Sequence, residues 1–395
     1  MNSRLIFYDT TNYTDFPIGG QLTSVSNLLR YLCEYHTQET AQIVLVGVTR
    51  DPVQVGRMQL LRLFDCDLQF LPVAATEEDL GHTAHSLRLK FARGLMKYGK
   101  LLQLSRKDCN YIQTPEAFGP VKWLQHGSRC VIFSHGSYAN MDRGFRFFRK
   151  NVLIRRAFGA YLKWVIRKAD LIFVLDDASR RDYRPYNHHI VKACNTIVLP
   201  ETYADWQPHE YQGRLLFVGR LSKDKGIAGI IRAMERMTEG ESLTVVGDGE
   251  ERQTFLDMAA QQRELRSHLT GDTVPDEFIS FTGAVTPQEV GDIMEHCDLL
   301  VMNSDFEGVP MTILEAFSHG LPVVTTNVGG IGATVRFGDD AERTDGTPEG
   351  IAAAVHEISL DYENYAQCAH DHAAQYSYIT ANEKLYRELR TFWSV

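Results

Sequence analysis

The sequence is poor in the features that mark metal, disulfide, membrane or secreted proteins. Its seven cysteines, at 33, 66, 109, 130, 194, 297 and 368, are odd in number and form no Cys-x-x-Cys pair. That excludes a disulfide framework and a paired-cysteine zinc site, and favours a reducing compartment. His188-His189 and His370/His372 have no further ligands at metal-binding spacing, and Asp65-Cys66-Asp67 stands without other ligands; no metal is expected. The longest uncharged run, Ala316 to Val335, is broken by Ser, His, Thr, Asn, Pro and Gly, so it is not a membrane span. Arg4-Leu5-Ile6-Phe7-Tyr8 is too short for a secretory signal and reads as a first strand. The expected location is the cytoplasm, with the protein peripheral on the cytosolic face of a membrane. Neither a Gly-x-Ser-x-Gly elbow nor a Walker phosphate loop is found.

What is present is an ordinary globular composition, 44% hydrophobic and 23% charged, over 395 residues. That length suggests two domains, each able to bury its own core. The net charge of −9 hides an asymmetry. Residues 1–199 carry 27 basic and 17 acidic side chains (+10), and residues 200–395 carry 14 and 33 (−19). Short β-branched runs alternate with helical patterns throughout, the signature of parallel α/β sheets. Strands are expected at 5–8, 43–48, 110–113, 131–134 and 171–175, then at 215–218, 243–246, 279–281, 299–302 and 322–325, each of the second set followed by a helix. The expected division is 1–199, 200–375 and a final helical segment, 376–395, that crosses back to the first domain.

Three strand–turn–helix junctions in the second half carry the chemistry. Val218-Gly219-Arg220-Leu221-Ser222-Lys223-Asp224-Lys225-Gly226 places Arg220 and Lys225 beside a helix beginning at Gly226. Cations and free helix amides together suit a diphosphate. Val246-Gly247-Asp248-Gly249 offers a backbone that a base or ribose can approach closely, because glycine has no β-carbon. The third is Ser304-Asp305-Phe306-Glu307-Gly308-Val309-Pro310-Met311-Thr312-Ile313-Leu314-Glu315-Ala316. With a helix starting near Pro310, Glu307 lies in the loop and Glu315 lies more than a turn inside the helix. They are therefore acceptors at different depths along one ligand, not an acid/base pair. Amides near Gly308 and Thr312 point towards any phosphate over the helix start.

The order Val-Gly-Arg-Leu…Lys-Gly, Val-Gly-Asp-Gly, Glu-Gly-Val-Pro…Leu-Glu-Ala and Gly320-Leu-Pro-Val-Val-Thr…Val328-Gly-Gly resembles the family 4 retaining glycosyltransferases of GT-B fold. The resemblance is specific over residues 214–335 and weaker over the first half. It implies an α/β protein of two Rossmann-like doubly wound domains facing each other across a cleft, the first on the acceptor side and the second binding a nucleotide sugar. It implies that Arg220, Lys225 and the backbone of Gly308, Val309, Met311 and Thr312 hold the diphosphate. Glu315 would hold the ribose, with Gly247, Gly249 and Val285 around it and the base, and Glu307 would hold the transferred sugar. In the first half, Pro17-Ile18-Gly19-Gly20-Gln21 resembles the family's glycine loop, with Gly20 at the donor phosphate. Ser134-His135-Gly136 follows a strand end, and His135 resembles the histidine that contacts the donor sugar. The implied reaction is metal-independent transfer of a hexose, with a UDP-sugar favoured as donor and no cofactor, to a lipid-linked or glycan acceptor. The family's Asn-Gly after the interdomain strand is absent; Asn195-Thr-Ile-Val-Leu-Pro-Glu201 stands there. Two other readings remain: a catalytically silent homologue stabilising an active partner, and a GT-B nucleotide-sugar epimerase.

Residues 82–107 contain seven Lys or Arg and no acid, and residues 143–168 contain nine and no acid. In the first segment Ala84, Leu87, Phe91, Leu95, Tyr98 and Leu102 recur at helical spacing beside Lys90, Arg93, Lys97 and Lys100. The expected partner of this face is an anionic membrane surface rather than nucleic acid, because no base-reading module accompanies the charge.

Overall fold

The structure is a computed structural model that describes residues 3–16, 20–76, 84–135, 152–238, 240–270 and 278–393. It comprises two compact units, Met1–Thr196 with Tyr378–Val395, and Ile197–Ser377.

The first unit is built on eight strands: β1 (Leu5–Tyr8), β2 (Ile43–Thr49), β3 (Gln59–Leu63), β4 (Cys66–Ala75), β5 (Cys109–Ile112), β6 (Arg129–Ser134), β7 (Leu171–Val174) and β8 (Ile190–Lys192). Their order across the sheet is β3-β4-β2-β1-β5-β6-β7-β8. All pairings are parallel except the β3/β4 hairpin. The central strands are buried along their whole length and mostly apolar because both faces are covered, as parallel sheets require. From β1 the chain winds one way to β2 and β4, then returns to β5 and winds the other way. The ends of β1 and β5 thus flank the switch point at which open α/β sheets bind ligands.

The hairpin is a departure from the expected strand set. Asp65-Cys66-Asp67 sits at its turn, where Phe64 and Asp65 both take positive φ (47° and 61°), the twist a two-residue hairpin needs. Arg62 pairs with Asp65 at 3.5 Å and with Asp67 at 3.4 Å, so both carboxylates have a local partner. Among the described residues no group of three or more His, Cys, Asp or Glu side chains could hold a metal ion.

Among its described residues the second unit has six parallel strands: β9 (Arg214–Val218), β10 (Ser242–Val246), β11 (Ile279–Gly283), β12 (Leu299–Met302), β13 (Val323–Thr325) and β14 (Ala341–Arg343). The order is β11-β10-β9-β12-β13-β14, with the switch point between β9 and β12. Its core joins Leu215, Phe217, Ile230, Val245, Leu299, Val301 and Ile351, all essentially inaccessible to solvent. The expected helix after β13 is a correction: a short turn at Ile331–Ala333 follows instead, and the chain runs on to β14. The Gly329-Gly330 pair, bonded to another loop, leaves no room for a regular helix there.

The helical pattern at 84–102 also needs correction. Helix Ala84–Tyr98 packs Leu87, Phe91 and Leu95 into the first unit's core, and Leu102 follows them. The apolar ladder read as a surface face is core, because the 3.6-residue stripe covers the sheet. Helix Tyr378–Arg390 belongs to the first unit, where it lies against helix Gly20–Tyr35.

Candidate functional site

In the second unit, the loops at the carboxyl ends of β9, β10, β11, β12 and β13 are stitched to one another by backbone bonds. Gly219 donates to the carbonyl of Val246, and Leu221 donates to that of Asp248. Gly247, at φ 132°, donates to the carbonyl of Gly283, bringing the segment that carries Val285 beside it. A β-carbon on Gly247 would lie 1.9 Å from the Gly219 carbonyl oxygen, and one on Gly249 would lie 2.4 Å from that of Leu221. These glycines are therefore demanded first by loop packing, before any ligand is considered.

The loop after β12 is fixed from both sides. Asp305 donates its N–H to the Asp224 carbonyl, and the buried Asn303 carboxamide donates to the carbonyls of Gly226 and Gly346. Gly226 is at φ 65° and starts helix Ile227–Ala233, after a tight turn at Lys223–Lys225 that precedes it. On the other side, Gly330 donates to the carbonyls of Glu307 and Gly308, and the Thr326 hydroxyl donates to that of Ser304.

This frame sets the geometry of Glu307. Its Oε1 accepts from the Lys225 ammonium at 2.6 Å and from the Ser304 hydroxyl at 2.7 Å. Both donors converge on one oxygen, and the other has no partner among the described residues. Lys225 spends one of its three N–H bonds there and keeps two. Arg220 differs: it is exposed and, among the described residues, its one ion pair is with Asp224 at 3.8 Å, so its guanidinium is available to an anion. A β-carbon on Gly308 would meet open space, so the loop is unobstructed at that residue.

Helix Met311–Ser318 begins beside this loop. Its cap is Pro310, which offers no side-chain acceptor, so the cap residue leaves the amides of Met311 and Thr312 uncapped. Uncapped helix amides form an anion site. One turn further, Glu315 is half-buried and its carboxylate makes no hydrogen bond or ion pair among the described residues. Burial pushes its pKa up. An unpartnered carboxylate in such a place is stabilised by donors a ligand supplies, such as sugar hydroxyls.

In the first unit the Thr114 hydroxyl at the end of β5 donates to Asp9 Oδ1 after β1 at 2.9 Å. Beside them His135, just past β6, donates from Nε2 to Gln113 Oε1 at 2.7 Å, leaving Nδ1 as the acceptor face of the ring. Burial, and then the charge of Arg88, holds His135 down to about 4, so the ring is neutral at physiological pH. Gln113 is itself buried, and its Nε2 has no partner among the described residues. Gly20 is the first residue of helix Gly20–Tyr35; residues 17–19 and Gly136 lie outside the described residues. Thus Arg220, Lys225, Glu307, Gly308, Val309, Met311, Thr312 and Glu315, with Gly247, Gly249 and Val285, gather on one edge of the second sheet. His135 lies at the carboxyl end of the first sheet, past the end of β6.

Ser304, Asn303, Gln113 and Asp9 were not singled out from the sequence. Ser304 lay inside the quoted motif, and its spacing of three from Glu307 across a loop was the one available signal.

Residues 212–361 match the family model described as glycosyl transferases group 1. The chain is 27% identical over 219 residues to glycogen synthase of Mycobacterium tuberculosis, covering 53% of this chain and 50% of that one. The chain thus spans about half the length of that relative. Among solved structures, Anabaena Alr3699/HepE in complex with UDP superposes with a TM-score of 0.65 at 17% identity, covering 99% of this chain and 100% of that one. Sucrose-phosphate synthase from Thermosynechococcus elongatus gives 0.71 at 14% identity, with the same coverage of each. The two doubly wound units have the fold of these solved structures, the GT-B fold, and residues 212–361 of the second unit carry the match to the glycosyl transferases group 1 model.

Proposed function

We propose that the protein moves a hexose from a nucleotide-diphosphate sugar, UDP-sugars being favoured, to a glycan or lipid-linked acceptor at a membrane face. Transfer retains the anomeric configuration and uses no metal. Arg220, the spare N–H bonds of Lys225 and the amides of Gly308, Val309, Met311 and Thr312 hold the diphosphate, with Gly20 near the phosphates. Glu315 accepts from the ribose hydroxyls, and Gly247, Gly249 and Val285 line the base. The free oxygen of Glu307 and the neutral ring of His135 orient the sugar.

The acceptor oxygen forms its bond to the anomeric carbon as the bond to the departing phosphate oxygen breaks. The electron pair leaves with the diphosphate, and a phosphate oxygen takes the acceptor's proton. Cations and amides aimed at the departing group stabilise the charge it gains. The observation that carries this reading is Glu307, tied through one oxygen by Lys225 and Ser304 beside an uncapped helix start. The UDP held by the Anabaena neighbour supports the choice of nucleotide.

Thermal-shift screening of nucleotide sugars, followed by mass spectrometry with glycan and lipid-linked acceptors, tests it. Glu315→Ala and Lys225→Ala are expected to lower turnover by roughly a hundredfold or more. Near-normal rates in both variants would remove the assignment.

A further inference from the structure

The exposed side of helix Ala84–Tyr98 and the turn that follows it is not a plain solvated face. With Leu87, Phe91 and Leu95 turned into the core, the opposite side presents Leu89, Met96 and Leu101, which are 57%, 46% and 52% exposed. Lys90, Arg93, Lys97 and Lys100 are interleaved with them on the same arc. None of Lys90, Arg93 or Lys100 forms an ion pair among the described residues. The first acid to follow, Asp108, is buried and bound to Arg4 at 2.8 Å. Helix Phe118–Leu124, packed alongside, adds Trp123 at 59% exposure. The stripe starts near the candidate edge of this unit: Arg88, on the same helix, lies 3.8 Å from Glu116, and its charge is felt at His135.

We infer that this stripe, from Leu89 to Leu101, docks the first unit on an anionic lipid bilayer. Charge complementarity selects the anionic surface. The three apolar side chains select lipid over a phosphodiester backbone, since they gain only where they can leave water for the acyl boundary. The inference deepens the proposed acceptor reading and rests on it: a docked first unit would meet an acceptor held in the same membrane.

Co-sedimentation of the full chain with phosphatidylglycerol/phosphatidylcholine vesicles, and with phosphatidylcholine alone, tests this without any donor. Binding is expected only to the mixed vesicles. K90Q/R93Q/K97Q/K100Q should weaken it at least a hundredfold at low salt, at about fivefold per cation, and L89S/M96S/L101S at least tenfold. Both variants should keep the thermal shift given by UDP, which reports the second unit and so separates failure of this surface from failure of the donor reading. No binding, equal binding to both vesicle types, or binding unchanged in either variant would overturn the inference. So would a sedimentation dimer that L89S/M96S/L101S dissolves, since a second copy would then cover the stripe.

Discussion

Ser304 shows how much a small side chain can decide at the residue scale. It is buried, and its hydroxyl donates to the same Glu307 oxygen that Lys225 holds. Removing it leaves Lys225 alone to orient the carboxylate. A hydrogen bond to a charged group contributes about 1.5–3 kcal/mol, so Ser304→Ala should lower nucleotide-sugar turnover about tenfold to a hundredfold. Steady-state kinetics should show the loss mainly in kcat, with Ser304→Thr recovering part of it. His135 gives a pH signature. Unfolded, a histidine takes its proton near 6.5, whereas the folded ring does so at about 4. Between those values the unfolded chain binds more protons, so the stability due to the neutral ring is lost as pH falls through that window. The size is at most roughly 3 kcal/mol. Denaturant unfolding of His135→Gln at pH 7 and pH 4.5 should show a smaller pH effect than in the parent protein.

At the scale of elements, the candidate site depends on loops that approach each other more closely than side chains allow. Gly329 is at φ 58°, and a β-carbon there would lie 1.7 Å from the Glu307 carbonyl oxygen. Left-handed backbone alone costs a non-glycine residue about 1–2 kcal/mol, and the overlap adds to it. Gly329→Ala should lower the melting temperature measured by calorimetry and weaken nucleotide binding, because the loop holding Glu307 must move. Elements of this kind were legible in part. The Val328-Gly-Gly run was visible, but its partner lies across the sheet edge, a relation that local sequence does not encode. The β3/β4 hairpin escaped notice for a different reason: its strand Gln59–Leu63 mixes polar and apolar residues, and its turn, Phe64-Asp65, lacks glycine. The ladder at 84–102 had a clear period, yet period alone does not say whether an apolar stripe meets the core or a partner.

The whole molecule is organised so that the last segment completes the first unit. Trp393 is fully buried and donates its indole N–H to the Ser3 carbonyl at 3.2 Å. The hydroxyls of Tyr378 and Tyr386 donate to Glu34 at 2.5 Å and Glu39 at 2.7 Å, and Arg129 donates to the Phe392 carbonyl at 2.7 Å. Loss of one buried tryptophan costs about 3–5 kcal/mol, against a domain stability of about 5–15 kcal/mol. Ending the chain at Ser377 should therefore unfold the first unit while leaving 197–377 folded. Hydrogen exchange with peptide mapping would show protection lost in the former and kept in the latter.

The sequence by itself determined the class of fold and the candidate donor motifs. Alternation of strand and helix patterns specifies parallel sheets, and glycine turns with fixed charges at strand ends are local signals. Only the tertiary structure decided what each charge touches. It put Ser304 and Lys225 on one oxygen of Glu307, left Glu315 without a partner among the described residues, and paired His135 with Gln113. It also turned one apolar stripe of helix Ala84–Tyr98 inward and left the other outward. Those outcomes depend on contacts between strands that are adjacent in the sheet but distant in the chain.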